Sequence, residues 1–199
     1  AWQNRTAYAK EAIPLSVSSD QCIYLLYTSG STGKPKGVPV RHYNLVNFLC
    51  SMQSSLRLAE TDTLLAVTTI SFDISCLELY LPLLSGSVLQ LVDTETAKDG
   101  FLLRDAIKQL RPTVMQATPS TWQMLLDAGW SQAQAIKTIC CGGEALSKNL
   151  ADALLLRCTW LYNLYGPTES TVWSAIKKVS PLDDIITIGQ PIANTQLYI

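Results

Sequence analysis

Histidine is nearly absent: His42 is the only one in 199 residues. A Cys/His zinc site or a Ser-His-Asp triad would have to run through that single side chain, which sets both chemistries aside. Metal-ligand spacing is also lacking among the six cysteines, Cys22, Cys50, Cys76, Cys140, Cys141 and Cys158. Most of them stand in apolar stretches, where cysteine behaves as a small buried hydrophobe and points to a reducing compartment. Charge is sparse. Lysine and arginine are scattered apart from Lys34 with Lys36 and the pair Lys177-Lys178, and the net charge is -1, so no basic face is offered to nucleic acid. No signal peptide opens the chain, and no apolar run reaches the length of a membrane span. With 48% hydrophobic residues, the sequence is expected to form a globular cytoplasmic protein of one domain or two small lobes, without membrane or nucleic-acid partners.

What is present is an alternation of short apolar runs and amphipathic stretches. Thr63-Val67, Val88-Val92, Thr113-Ala117, Thr138-Cys141 and Leu161-Leu164 read as buried strands. Asn44 to Leu56, Ile74 to Leu84, Leu102 to Leu110, Thr121 to Ala128 and Lys148 to Leu156 read as helices, with Asp73, Ser120 and Ser147 as N-caps. This βαβ rhythm predicts an α/β fold, a mainly parallel sheet flanked by helices on both faces, with ligands beyond the C-terminal ends of the strands. Residues 1–20 lack periodicity, and Gln196-Leu197-Tyr198-Ile199 reads as a strand running into the terminus. The chain is therefore expected to be a piece of something longer.

Directly after the apolar run Cys22-Leu26 comes Tyr27-Thr28-Ser29-Gly30-Ser31-Thr32-Gly33-Lys34-Pro35-Lys36-Gly37, a loop rich in N–H and O–H donors with two cations. Such a loop suits a polyphosphate. It is not a P-loop, because Pro35 stands where a magnesium-binding hydroxyl should follow the lysine, and it biases Lys34 away from a helix start. A flap over a triphosphate and a Gly/Ser linker are the two readings, although two lysines are unusual in a linker.

Three further segments carry chemistry: Phe72-Asp73-Ile74-Ser75, Cys141-Gly142-Gly143-Glu144-Ala145-Leu146 and Asn163-Leu164-Tyr165-Gly166-Pro167-Thr168-Glu169-Ser170-Thr171. In the third, Tyr165 can stack on a base, Asn163 can bond a base edge, Thr168 can contact phosphate and Glu169 can ligate Mg²⁺; a plain strand-to-turn connection is the alternative. Gly142-Gly143 admits close approach of a flat ligand, or is simply a turn with Glu144 in a first helical turn.

Together these segments resemble the adenylation domain of a nonribosomal peptide synthetase, within the acyl-adenylate-forming superfamily that includes acyl-CoA synthetases and luciferases. The carriers are Leu26 to Val38, Phe72-Asp73, Gly142 to Leu146, Tyr162 to Glu169 and Ile188-Gly189-Gln190-Pro191-Ile192, in the family's order. The resemblance implies that the whole of residues 1–199 is the central part of the large AMP-binding N-terminal lobe, ending before the subdomain with the catalytic lysine. On its own this stretch is then expected to bind nucleotide weakly and turn over little.

The implied reaction is attack of an amino-acid carboxylate on the α-phosphate of ATP, giving aminoacyl-AMP and pyrophosphate. Transfer to phosphopantetheine on a peptidyl carrier protein follows. By the resemblance Thr28, Ser29, Ser31, Thr32, Gly33, Lys34 and Lys36 hold the β- and γ-phosphates, Thr168 touches phosphate and Glu169 binds Mg²⁺. Asn163, Tyr165, Gly142, Gly143 and Gly166 form the adenine site. Asp73, by itself more often a helix cap, becomes the partner of the substrate ammonium. Aligned pocket positions are Ile74, Leu77, Gln116, Ile139, Cys141, Leu164, Val172 and Trp173, mostly bulky and apolar, which favours glycine or another small amino acid. Burial alone would also explain each position. An acyl- or aryl-CoA ligase and a non-catalytic adenylation-like scaffold are the competing readings; Asp73 argues against the first, and intact Lys34, Lys36, Thr168 and Glu169 against the second.

Overall fold

The computed structural model describes residues 16–29, 33–134 and 136–198. The described chain opens with a hairpin. β1 (Cys22–Thr28) and β2 (Lys36–Arg41) pair antiparallel with Thr28 opposite Lys36, so the glycine-rich loop returns into a strand and not into a helix. Its Ser31 and Thr32 lie outside the described residues.

The main sheet has, among the described residues, seven strands in the order β4-β3-β5-β6-β7-β8-β9. β3 (Thr63–Ala66), β4 (Val88–Leu91), β5 (Val114–Ala117), β6 (Ile136–Gly142) and β7 (Cys158–Tyr165) run parallel. β8 (Ala175–Val179) and β9 (Gln190–Pro191) return antiparallel. The expected α/β class with a mainly parallel sheet is what the chain adopts.

Period-two alternation along each central strand divides the core into two layers. Leu64, Val114, Cys140, Tyr162 and Leu164 face α1 (His42–Leu56) and α2 (Ser75–Ser85), packing on Phe48, Met52, Leu77 and Leu81. Their neighbours Leu65, Met115, Ile139, Cys141 and Leu161 point the other way. There they meet α4 (Gly100–Leu110), α5 (Pro119–Asp127) and α6 (Lys148–Leu155), through Leu103, Trp122, Leu125 and Leu154. A short helix, α3 (Thr94–Lys98), follows β4.

Helix starts follow local capping chemistry, with two differences from expectation. Ser147 caps α6 by accepting from Leu150 N–H, as its position suggests. The cap of α5 is Thr118, which accepts from Thr121 N–H ahead of Pro119, so Ser120 falls inside the helix. The N-cap of α2 is Ile74, without a side-chain cap bond, so the carboxylate of Asp73 is not used to cap the helix. Gln196 to Tyr198 also form no strand.

The N-terminal ends of β3, β5 and β6 are pinned by Asp62, 3% exposed. Its carboxylate accepts from Ala59 N–H at 2.9 Å, Thr113 Oγ1 at 2.8 Å and Lys137 Nζ at 2.9 Å. Burial pushes this carboxyl up, but those donors outweigh it and hold the group below the usual carboxylate range. A depressed value contributes stability above the unfolded-state pKa, and that stability is lost as pH falls through the folded-state value. Asp62→Asn is expected to cost about 2 kcal/mol at neutral pH. In melting curves taken against pH, the gap to the wild type should narrow below roughly pH 4.

Candidate active site

The C-terminal ends of β5, β6 and β7 and the loop after β3 converge on one rim, where the informative segments meet. Asp73 lies in the turn before α2, 7% exposed, and its Oδ2 is buried with no hydrogen-bond partner among the described residues. Burial pushes its carboxyl above the usual range, while the Thr168 hydroxyl and the backbone N–H groups of Ile74 and Val172 act in the opposite direction. Cys76 and Tyr24 lie within its electrostatic reach. The Cys76 thiol is pushed up to about 11 by burial and by the charge of Asp73, and the Tyr24 hydroxyl, also buried without a partner, is raised for the same two reasons with Cys76 contributing. Among the described residues no cation pairs with this buried acceptor, an arrangement suited to a cationic donor.

Next to it, Ile74, Leu77, Leu164, Val172 and Trp173 belong to one cluster on the α1/α2 side of the sheet. Leu77, Leu164, Val172 and Trp173 are each at most 2% exposed. Gln116 joins them through hydrogen bonds: its Oε1 accepts from Trp173 Nε1 at 2.8 Å, and its Nε2 donates to the Ile74 carbonyl at 3.1 Å and to Glu78 Oε1 at 3.1 Å. Ile139 and Cys141 are not brought to this group. They face the α4/α5/α6 layer, because the two-residue period of β6 sends Cys140 and Gly142 to the socket side instead.

The two glycines of β6 and the following turn divide their work. A Cβ on Gly142 would stand 2.7 Å from the Leu164 carbonyl oxygen and 2.7 Å from Trp173 Cη2, so its bare face is covered by the indole and not by a ligand. Gly143 faces a cleft of about 460 Å³ lined also by Glu144, Asn163, Tyr165 and Gly166. Tyr165, 46% exposed, lines the same cleft with an aromatic ring of the kind that stacks on a base. Asn163 is buried, with its Nδ2 donating to the Thr187 carbonyl at 2.9 Å. Gly166 packs so tightly on the segment 172–174 that a Cβ there would collide with the Val172 carbonyl oxygen. That segment is strained: Thr171 and Val172, both β-branched, take φ of 68° and 61°. Trp173, the next residue, is buried. Glu144 is not in a helix; its Oε2 accepts from Ser120 Oγ and N–H, tying the glycine turn to the start of α5.

On the other side of the rim, Thr28 Oγ1 donates to Glu169 Oε1 at 3.4 Å, joining the hairpin to the turn after β7. Across the hairpin Lys36 stands opposite Thr28, and Ser29, Gly33 and Lys34 are exposed. Glu169 with a nearby hydroxyl and open space is a donor set of the kind Mg²⁺ uses, one carboxylate with the remaining positions left for phosphate and water. Among the described residues no group of three or more His, Cys, Asp or Glu could hold a metal by itself.

Two site residues escape a sequence reading. Glu78 looks like one polar position on an apolar helix, and Cys140 like half of a Cys-Cys pair; only the strand period separates Cys140 from Cys141.

The AMP-binding enzyme family matches residues 2–199. A dimodular nonribosomal peptide synthase of Bacillus subtilis (strain 168) is 45% identical over 194 residues, 96% of this chain and 8% of that protein. The PKS-NRPS hybrid synthetase acdB of Aspergillus candidus is 44% identical over 183 residues, 92% of this chain and 7% of that protein. The chain thus spans only a small part of the length of these relatives. Among solved structures, holo-AB3403, a four-domain nonribosomal peptide synthetase bound to AMP and glycine, superimposes with a TM-score of 0.82 at 46% identity, over 88% of this chain and 13% of that chain. The Vibrio cholerae adenylation domain AlmE, in complex with glycyl-adenosine-5'-phosphate, shares the fold with a TM-score of 0.78 at 24% identity, over 87% of this chain and 34% of that chain. With a family match over nearly its whole length and this architecture, the chain belongs to the AMP-binding enzymes, as an adenylate-forming ligase domain of the nonribosomal peptide synthetase kind.

Proposed function

We propose that the domain activates glycine, or failing that another small amino acid, with ATP. A glycine carboxylate oxygen attacks the α-phosphorus, the bond from that phosphorus to the bridging oxygen breaks, and pyrophosphate leaves. The observation that carries the reading is the buried Oδ2 of Asp73, unpartnered among the described residues, next to the apolar cluster that holds Trp173. The solved relative at 46% identity, bound to AMP and glycine, supports it. An acyl- or aryl-CoA ligase would leave Asp73 unpaired against an apolar acid, at a cost of several kcal/mol in a dry site.

In this reading adenine stacks in the cleft between Gly143 and Tyr165, Asn163 reads its edge, and the hairpin loop with Lys34 and Lys36 covers the outer phosphates. Glu169 holds Mg²⁺, which neutralises phosphate charge when bound. The Thr168 hydroxyl lies close to Asp73, so phosphate and ammonium are held by adjacent groups and the reacting atoms are brought together. The stretch would be the central part of the N-terminal subdomain of a cytoplasmic enzyme. The full-length protein would then pass the glycyl group to the phosphopantetheine thiol of a carrier-protein partner, with AMP as the leaving group.

The test is amino-acid-dependent pyrophosphate exchange by the full-length protein, with magnesium, across the standard amino acids and a set of fatty and aryl acids. Glycine is expected to give the highest kcat/KM. Exchange with fatty or aryl acids alone would reject the assignment.

A further inference from the structure

Glu78 carries a carboxylate into the interior: it is 0% exposed and has no ion-pair partner among the described residues. Four donors hold it. Oε2 accepts from Val67 N–H at 3.0 Å and Thr68 N–H at 2.9 Å, and Oε1 from Thr68 Oγ1 at 2.6 Å and Gln116 Nε2 at 3.1 Å. A carboxylate so deeply buried with no countercharge is costly, and packing alone would be better served by an apolar residue.

We propose that Glu78 is a positioning residue for the amino-acid socket, fixing the seat of Trp173 through Gln116 and thereby the size of side chain admitted. The inference rests on the small-amino-acid reading above. Gln116 has one acceptor end and one donor end, and its surroundings decide which faces where. Glu78 Oε1 and the Ile74 carbonyl, both acceptors, claim the NH2 end. The oxygen end is thereby turned to Trp173 Nε1, which can only donate. Rotated by half a turn, the amide would set donor against donor at the indole and acceptor against acceptor at Glu78. The indole would then leave its place over Gly142, and the volume it closes would open to a larger substrate.

Glu78→Gln is the sharp variant. The backbone N–H groups of Val67 and Thr68 demand an oxygen at the Oε2 position, so the new amide must turn its NH2 towards Gln116, opposing the native orientation. The full-length protein is assayed by pyrophosphate exchange with glycine and with alanine. In E78Q the ratio of kcat/KM for glycine to that for alanine is expected to fall about tenfold, mainly through the amino-acid KM. The KM for ATP should move by less than about twofold. In a Trp173→Phe background, where no N–H depends on the amide, E78Q should change the ratio by less than about twofold.

Equal losses for both amino acids, or the same ratio change with and without the indole N–H, would overturn the proposal. If E78Q does not fold, Thr68→Val decides: it removes one bond to Oε1 and should lower the ratio about threefold, and an unchanged ratio is a refutation. Should the wild type prefer another small amino acid, the glycine assignment fails separately. The same ratio is then taken between that substrate and its next larger homologue.

Discussion

Replacing Asp73 by asparagine is expected to lower glycine-dependent pyrophosphate exchange by about 10²–10³-fold, the loss that follows when one partner of a desolvated charge pair is removed. The protein should melt at the same temperature or higher. Among the described residues Asp73 Oδ2 is buried without a hydrogen-bond partner, so the native carboxylate adds little to folding stability. The pH dependence has a definite sign. Burial raises the folded-state value of this carboxyl, so the folded chain holds the proton longer than the unfolded chain as pH rises. Between the unfolded and folded values, stability therefore falls with increasing pH, and D73N should lack that component. Activity behaves in the opposite way, because only the ionised form captures an ammonium ion. Exchange should be lost on the acid side at a pH above the ordinary carboxylate range. Full activity in D73N with normal glycine KM would remove the basis for amino-acid recognition.

The second large effect is on substrate choice. Trp173 is 1% exposed, donates to Gln116 and sets its ring edge against Gly142. Trp173→Ala deletes this wall, leaves Gln116 Oε1 without its donor and is expected to cost about 3–5 kcal/mol of stability. In the protein that still folds, the preference for glycine over a larger apolar amino acid such as valine should fall by about 10²-fold, the upper range of discrimination by volume alone. Paired kcat/KM measurements on glycine and valine check this. A variant that keeps its glycine preference would show that another wall excludes larger side chains.

The architecture was legible wherever burial on both faces leaves a near-continuous apolar run. β5, for example, is buried at all four positions, and the sequence reading of its run overlaps it closely. β8 was not legible. Its Lys177 and Lys178 look like solvent residues, yet Lys177 pairs with Asp183 and Lys178 lies over the Trp160 ring, so both lysines keep their charge satisfied while the strand pairs with β7. Gln196 to Tyr198 show the converse: an apolar pattern suited to a strand, with no ladder to join among the described residues.

Motif spacing picked out Asp73, the glycine turn and the Tyr165 segment, which the fold brings close to one another. Assigning Ile139 and Cys141 to the socket missed by one residue each. A shift of one along a strand transfers a side chain to the other face, and a run of Ile, Cys and Cys carries no alternation of polarity to reveal which residue faces where. Glu78 was hidden for a different reason. Its meaning lies in donors from the loop after β3 and from β5, which only tertiary structure brings together.

The most direct measurement is a crystal structure of the full-length protein with a hydrolysis-resistant glycyl-adenylate analogue. The expected result has the glycyl ammonium within hydrogen-bond distance of Asp73 Oδ2, its α-carbon against Trp173, and adenine between Gly143 and Tyr165. An ammonium bound elsewhere, with Asp73 Oδ2 still unpartnered, would contradict the account.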